Sequence, residues 1–402
     1  MRAQVFRPYP GCPRLRFGRI AARSAAFARA GETGGTLLVG AAAGTDDADV
    51  AARARAELLE RAHNVLAGRR AETDGTARRI ATYEALQHAG APAVDPCAWS
   101  ELRTTLELRR RPLLWVDAVS LVDGRQVLVP ASGVFLRHRP PPQGAAPMRP
   151  GSTGIAAHRT EGEASRHALL EVLERDLLWR AWYGRGPRRT LAHPLPEPLS
   201  GVLGALGTFC SLVFLPGPAE TGCVVACLHD ERGDRQTFGA RATATPLKQG
   251  TTSPGRSASL EQSVASAVYE ALMVRWSMDT ADARAARRRM RERGGPPIGP
   301  VEHAVYAYRH QDALAHLRAA DGGAVLPRPT ASPATGPRTL AEVVADHTDE
   351  DVLWRPTMAP ELDTGDLTVG RVIAPGAHRL PSDEHAHPPP ADARTRRPHP
   401  LG

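Results

Sequence analysis

A helix that sets carboxylates along an otherwise apolar face limits the folds open to this chain. Between Gly151 and Trp182 the sequence reads GSTGIAAHRTEGEASRHALLEVLERDLLWRAW. Small residues lead into a helix expected over Glu163–Trp182, with Thr160 as its N-cap and Glu163 completing a capping box. At 100° per residue Glu163, His167, Glu171 and Glu174 fall in one stripe of that helix. A shorter copy lies upstream. AELLERA (Ala56–Ala62) and LEVLERD (Leu170–Asp176) share a Glu-x-x-Glu-Arg core, and each follows a loop-like stretch of small residues, VGAAAGT and GSTGIAA.

One Glu-x-x-Glu-Arg alone is ordinary surface pairing on a solvated helix. Two copies after similar stretches, one of them in a strongly apolar helix, ask for more. If the two helices pack side by side, Glu57, Glu60, Glu171 and Glu174 converge. Four unpaired anions in a partly apolar cleft are very unfavourable. Hard oxygen ligands of this kind suit Mg²⁺, which takes a few carboxylates together with phosphate oxygens. Arg61 and Arg175 would then clamp phosphate. VGAAAGT lacks the Gly-Lys-Ser/Thr of a P-loop, so it gives only weak support for phosphate binding.

The chain has 402 residues with 42% apolar content, enough for one large or two ordinary globular domains. Its net charge of +8 suits an acidic partner. Much of that charge sits in RRRMRER (Arg287–Arg293), however, which reads as a solvated face, and no aromatic-interleaved basic stripe points to nucleic acid. Five scattered cysteines form no CxxC pair, so neither a structural zinc nor a disulfide framework is expected. The N-terminus lacks the apolar run of a signal peptide, and GVLGALGTFCSLVFLPG is too short and glycine-rich to span a bilayer. A cytoplasmic, non-membrane protein is therefore expected. His303 and His310 read as core or surface histidines. The group His385, His387 and His399 reads as tail composition, and Cys223 and Cys227 as buried strand cysteines.

Strands and helices interleave, which predicts a mixed α/β class. PLLWVDAVSLVDGRQVLVPA (Pro112–Ala131) is a hairpin around Asp123-Gly124, and CVVACLHDERGDRQTFGARA (Cys223–Ala242) is another around Glu231–Asp234. Helices are expected at Ala48–Leu66, Glu163–Trp182, Leu260–Trp276 and Arg338–Asp346. Proline-rich loops lie near 137–152 and 322–339. The expected organisation is a short segment 1–39, an ATP-binding body 40–384, and a proline-rich tail 385–402.

Several of these stretches resemble the YcaO-domain family. STGIAAHRTEGEASRHALLEVLERD is similar to its central signature, RARAELLERA to its first acidic helix and SLEQSVASAVYEALMVR to its third. LWVDAVSLVDGRQVLVPA and DTGDLTVGRVIAPGAHRL are similar to its hairpin and its near-terminal segment. The resemblance runs from Gly40 to Gly402. It implies a YcaO-like fold, largely antiparallel sheets flanked by helices that carry an ATP and Mg²⁺ site. It also implies metal and nucleotide roles for Glu57, Glu60, Glu163, Glu171, Glu174 and Arg175, with nucleotide contacts from Glu270, Arg275 and Arg371. The implied activity is an ATP-dependent cyclodehydratase of ribosomal-peptide natural-product biosynthesis. It would activate backbone amides of a precursor peptide so that Cys, Ser or Thr side chains close to thiazoline or oxazoline rings. RRPHPLG is similar to the family's proline-punctuated ends. Pro398 and Pro400 would stiffen the tail so that the Gly402 carboxylate reaches the site as a base.

The resemblance further implies a separate leader-binding partner of the ubiquitin-activating-enzyme-like kind, and it leaves a homodimer open. Arg53, His158, Arg159, Ser266 and Met273 depart from the family pattern, Arg53 standing where it could pair with Glu57. These departures motivate two alternatives: a non-catalytic subunit that binds peptide or a catalytic partner, or an enzyme using another nucleophile to make thioamides or amidines.

Overall fold

A computed structural model describes residues 2–401 apart from 29–35, 75–78, 100–105, 142–143, 146–147, 149–150, 185, 245–259, 312, 320–337, 364 and 385–386. The second proline-rich loop lies almost wholly outside the described residues, as do His385 and Gly402.

Among the described residues thirteen strands form three sheets in which every strand pair is antiparallel. The first sheet runs in the order β1 (Gln4–Phe6), β2 (Arg16–Ser24), β3 (Thr36–Gly44). The largest takes β4 (Arg79–Ala81), β5 (Leu113–Ser120), β6 (Gln126–Pro130), β7 (Ile155–His158), β12 (Leu353–Pro356) and β13 (Thr368–Ile373), with β7 on one edge beside β13. The remaining sheet runs β8 (Arg189–Thr190), β9 (Phe209–Pro216), β10 (Thr221–His229), β11 (Thr237–Ala244). Among the described residues six helices have nine residues or more: α1 (Asp47–Thr73), α2 (Glu161–Trp182), α3 (Leu260–Ser277), α4 (Ala281–Arg293), α5 (Pro300–Arg309) and α6 (Leu340–Thr348). The mixed α/β class with antiparallel sheets is as expected, and none of these helices is long and apolar enough to cross a membrane.

Both expected hairpins form, β5–β6 and β10–β11, and Cys223 and Cys227 are fully buried in β10. VGAAAGT, however, is strand rather than loop: it forms most of β3. Its small residues serve close packing, because a Cβ added to Gly40 would lie 2.1 Å from the Ala54 carbonyl oxygen of α1. The expected boundary at 39/40 falls inside β3, which pairs with β2 along nine residues. Gln4–Phe6, Arg16–Ser24 and the start of Thr36–Gly44 thus place described parts of the first 39 residues in the sheet that carries α1.

α1 lies on β2–β3, and α3 lies on β10–β11 in the same manner. A Cβ on Gly239 would lie 2.0 Å from the Ala267 carbonyl oxygen of α3. α2 sits between these units. Its apolar side, with Ala164, Ala168, Leu169, Leu173 and Leu177, packs into a core shared with β10, β11 and β13. That burial, at about 25 cal/mol per Å² of apolar surface, fixes the helix and leaves its acidic stripe facing α1 and α3.

Candidate functional site

Five carboxylates meet where the three helices approach one another, and each is held by a backbone amide. Glu57 of α1 accepts from Ala41 N–H (2.5 Å) and Glu60 from Ala157 N–H (2.9 Å). On α2, Glu171 accepts from Gly154 N–H (3.1 Å) and Glu174 from Ala242 N–H (2.8 Å). On α3, Glu270 accepts from Ala240 N–H (2.8 Å). The amides belong to β3, β7, β11 and the turn entering β7, so the sheets aim the acids. Amide donors orient the carboxylates without neutralising them.

Three guanidinium groups stand among these five acids. Arg61 bonds Glu57 (2.5 Å) and the Val39 carbonyl. Arg175 Nη1 lies 3.2 Å from Glu174 and its Nη2 3.6 Å from Glu171, both ion pairs rather than hydrogen bonds. Arg241, on β11, lies within electrostatic reach of Glu174 and Glu270. Five acids therefore face three guanidinium groups. Burial raises Glu57, Glu60, Glu174 and Glu270 above the usual carboxylate range, Glu60 to about 8, and the charge on Glu171 adds to the rise in all four. Glu57 and Glu171 still keep 32% and 27% of their side-chain surface open. Acids enclosed by protein yet open on one side line a cleft. Hard oxygen donors that outnumber the guanidinium groups suit a divalent cation and the phosphates it carries, although among the described residues no three of the five bring ligand oxygens within 4.8 Å of one another.

Glu163 lies in the first turn of α2. Thr160 caps α2, but the Glu163 carboxylate turns to the Thr160 hydroxyl (3.0 Å) and to His158 Nδ1 (2.6 Å). The Thr160 bond first, helped by His158, holds Glu163 below its ordinary value. His158 stacks on His167. Burial, then the charges of Arg241 and His158, push His167 down to about 4.

Other expected residues sit elsewhere. Arg275 donates to the Arg235 carbonyl in the β10–β11 loop (2.7 Å) and takes no part in the cluster. Arg371 is buried and gives its guanidinium to the carbonyls of Val134, Gly151 and Thr153, where it braces the turn that presents Gly154. Arg53 pairs with Asp49 and the Ala43 carbonyl rather than with Glu57. Met273 packs into the apolar core under α3. In the tail Pro400 is buried and Pro398 half-buried. His399, read above as tail composition, is 3% exposed. Arg241 went unnoticed, although an arginine among the alternating small residues of FGARATA was a signal.

Residues 41–378 match the family described as "YcaO cyclodehydratase, ATP-ad Mg2+-binding". The chain belongs to the YcaO family. The cofactors expected from the resemblance, ATP and Mg²⁺, are those the family description carries. A curated relative, an uncharacterized protein of Methanothermobacter thermautotrophicus, is 36% identical over 77 residues, 19% of this chain and 20% of the relative. The chain thus spans about a fifth of the length of that relative. Solved YcaO-family structures share the fold. The YcaO protein of Methanopyrus kandleri, bound with AMPPCP and Mg²⁺, has a TM-score of 0.61 at 21% identity, covering 97% of this chain and 91% of its own. A heterocyclase in complex with substrate and cofactor has a TM-score of 0.66 at 16% identity, covering 94% of this chain but only 50% of the heterocyclase. A chain of the E. coli microcin synthetase McbBCD complex has a TM-score of 0.58 at 12% identity, covering 93% of this chain and 87% of that one.

Proposed function

We propose that this YcaO protein is an ATP- and Mg²⁺-dependent cyclodehydratase acting on a ribosomal precursor peptide. The observation that carries the reading is the set of five amide-anchored carboxylates from three helices, outnumbering the guanidinium groups of Arg61, Arg175 and Arg241 among them. Glu57, Glu60, Glu171 and Glu174 would hold the metal, with Glu270 closing the ring from α3. Mg²⁺ bound there would neutralise charge on a transferring phosphoryl group. Arg175 and Arg241 supply fixed positive charge to the same phosphate. In the proposed reaction a Cys, Ser or Thr side chain attacks the preceding peptide carbonyl, and the resulting oxyanion takes the γ-phosphoryl group of ATP. That attack closes the five-membered ring, and phosphate then leaves with the former carbonyl oxygen while the amide nitrogen loses its proton and the C=N bond of the azoline forms.

The heterocyclase and microcin synthetase neighbours favour a peptide substrate and a partner protein, because one is bound to substrate and the other is a multi-protein complex. A leader-binding partner of the ubiquitin-activating-enzyme-like kind is part of this proposal. Incubated with partner, precursor and ATP, the protein should remove one water per modified residue, read by mass spectrometry. Across several cognate precursors, no mass loss would count against the reading.

The second reading is a non-catalytic subunit. Arg275 and Arg371, expected at the nucleotide, are engaged elsewhere, and Met273, a departure from the family pattern, packs into the apolar core, which favours it. Calorimetry separates the two. Mg·ATP binding that disappears in Glu171→Gln supports the enzyme, and the absence of binding by the unaltered chain supports the subunit.

A further inference from the structure

Glu60 and Glu171, acids of two different helices, are aimed by one short piece of chain. Ala157 N–H of β7 holds Glu60, and Gly154 N–H, in the turn entering β7, holds Glu171. Whatever fixes residues 154–157 therefore fixes both acids at once. On its other side Gly154 is tied to β13. Its φ is 80°, its carbonyl accepts from Val372 N–H (2.8 Å), and a Cβ there would meet the Val372 carbonyl oxygen at 2.7 Å.

The turn before Gly154 rests on Arg371. This side chain is 1% exposed and spreads its guanidinium over three carbonyls. Nη2 donates to those of Gly151 (2.9 Å) and Thr153 (3.0 Å), and Nη1 to that of Val134 (3.0 Å). A planar fork of donors can join carbonyls from separate segments in this way. The Val134 carbonyl is shared. It also accepts from Asn64 Nδ2 (3.1 Å), while Asn64 Oδ1 accepts from Leu136 N–H (2.7 Å). Asn64 is fully buried and follows Glu60 on α1 by about one helical turn. The bonds close a ring. It runs from Glu60 along α1 to Asn64, through the Val134 carbonyl to Arg371, and across the turn to Gly154. From there β7 leads to Ala157, which returns to Glu60. Glu171 is attached to this ring at Gly154.

We infer that Asn64 and Arg371 are positioning residues that act as one strut. They hold the amides that aim Glu60 of α1 and Glu171 of α2, so that the two helices offer Mg²⁺ a fixed set of oxygens. Arg371, expected at the nucleotide, acts on the site through Glu171 instead. Buried groups that orient ligands without touching a metal commonly set its affinity. The ring of bonds stands on the geometry above. Only its effect on Mg²⁺ rests on the reading of Glu60 and Glu171 as metal ligands.

The test uses the full chain with Asn64→Ala, Arg371→Lys and the two combined. Asn64 bonds Val134 and Leu136, yet its loss should speed hydrogen exchange at the Gly154 amide at least about tenfold, the size one buried hydrogen bond supports. Arg371→Lys should do the same, while exchange in β10, a strand outside the ring, stays as in the unaltered protein. With ATP fixed, the Mg²⁺ needed for half-saturation, read by calorimetry, should rise roughly 10–100-fold in each variant, and excess Mg²⁺ should restore ATP binding. The double variant should need no more Mg²⁺ than the weaker single variant, since removing either end frees the turn. Should Asn64→Ala fail to fold, Arg371→Lys carries the same two readouts. Gly154 exchange that stays slow would overturn the strut. A lowered melting temperature with an unchanged Mg²⁺ requirement would show that the pair holds only the fold, and would overturn the positioning role. So would ATP binding that excess Mg²⁺ fails to restore in Arg371→Lys alone, because Arg371 would then touch the nucleotide directly. Losses that multiply in the double variant would overturn the joint action. If the unaltered chain binds no Mg·ATP, the metal reading fails while Gly154 exchange still decides the strut.

Discussion

Gly40→Ala is the sharpest probe of how this fold places its acids. The new Cβ would sit 2.1 Å from the Ala54 carbonyl oxygen and 2.6 Å from Leu58 N. Both are backbone atoms of α1, so no side chain can swing aside. Restoring an ordinary contact requires α1 to retreat by about 1 Å, the distance by which the overlap falls short of normal packing. Overpacking of this kind costs about 1–3 kcal/mol. For a chain of 402 residues that lowers the melting temperature by about 1–4 °C. The retreat also stretches the 2.5 Å bond from Ala41 N–H to Glu57 beyond hydrogen-bond range and carries Glu60 with it. A displacement near 1 Å at a reacting centre costs on the order of a hundredfold in rate, and Mg·ATP affinity should drop at least about tenfold. Thermal denaturation and calorimetric titration with Mg·ATP read the two effects. Gly239→Ala, which meets the Ala267 carbonyl at 2.0 Å, should behave alike through Glu270. Gly162→Ala, with nothing within 4 Å, should melt no lower, since alanine is the better helix former. A Gly40→Ala protein with unaltered melting and nucleotide affinity would refute the idea that glycine contacts set the carboxylates.

Two other expectations separate site residues from their neighbours and test a surface acid. Arg241→Ala should weaken Mg·ATP binding about 10–100-fold, the range of a charge-assisted contact, while Arg275→Ala, which loses only its bond to the Arg235 carbonyl, should stay within about twofold by the same titration. Burial alone would raise Glu72, but the His138 ring, the Arg139 amide and Arg69 together hold it below the ordinary range. Its ionised form therefore adds stability that is complete above the unfolded value of about 4.3 and is lost as pH falls through the lowered folded value. Glu72→Gln should melt lower than the unaltered chain at pH 7, and the gap should close as pH drops from about 5 towards 3. A gap that persists into acid would assign the loss to packing.

The helices were legible because periodicity and caps act locally: Thr160 does cap α2, and Asp123-Gly124 does turn a hairpin with Gly124 at φ 77°. β3 was misread because alanine and glycine are poor strand formers on their own. Its small residues are there for the helix that presses on it, a reason visible only in three dimensions. The Arg275 error was avoidable. Five residues beyond Glu270 lies about 140° round a helix, so the two cannot face one cleft. His303, Glu384 and His399, which meet in the interior, come from segments whose contact no local pattern announces, which left the tail histidine looking like mere composition.

The recurrence in the sequence pairs α1 with α2, but the geometry pairs α1 with α3. In both, a strand glycine (Gly40, Gly239) presses beneath a helix carbonyl (Ala54, Ala267), and the next strand amide (Ala41, Ala240) holds the glutamate three residues along (Glu57, Glu270). α2 supplies its acids between two such units, so three helices, not two, make the site. Anchoring by amides lets the acids stay aimed while their charges repel. That separation of aim from charge can be measured with Glu60→Gln. The carboxamide oxygen introduced there can still accept from Ala157 N–H, whose bond to Glu60 is 2.9 Å, but the variant escapes the cost of burying a group that is ionised when unfolded and raised to about 8 when folded. The ligand-free variant should melt higher than the unaltered protein, while Mg·ATP binds it more weakly. Opposite signs are what a site trading stability for ligand charge requires. If both readouts fell, Glu60 would be holding the fold together rather than waiting for a cation.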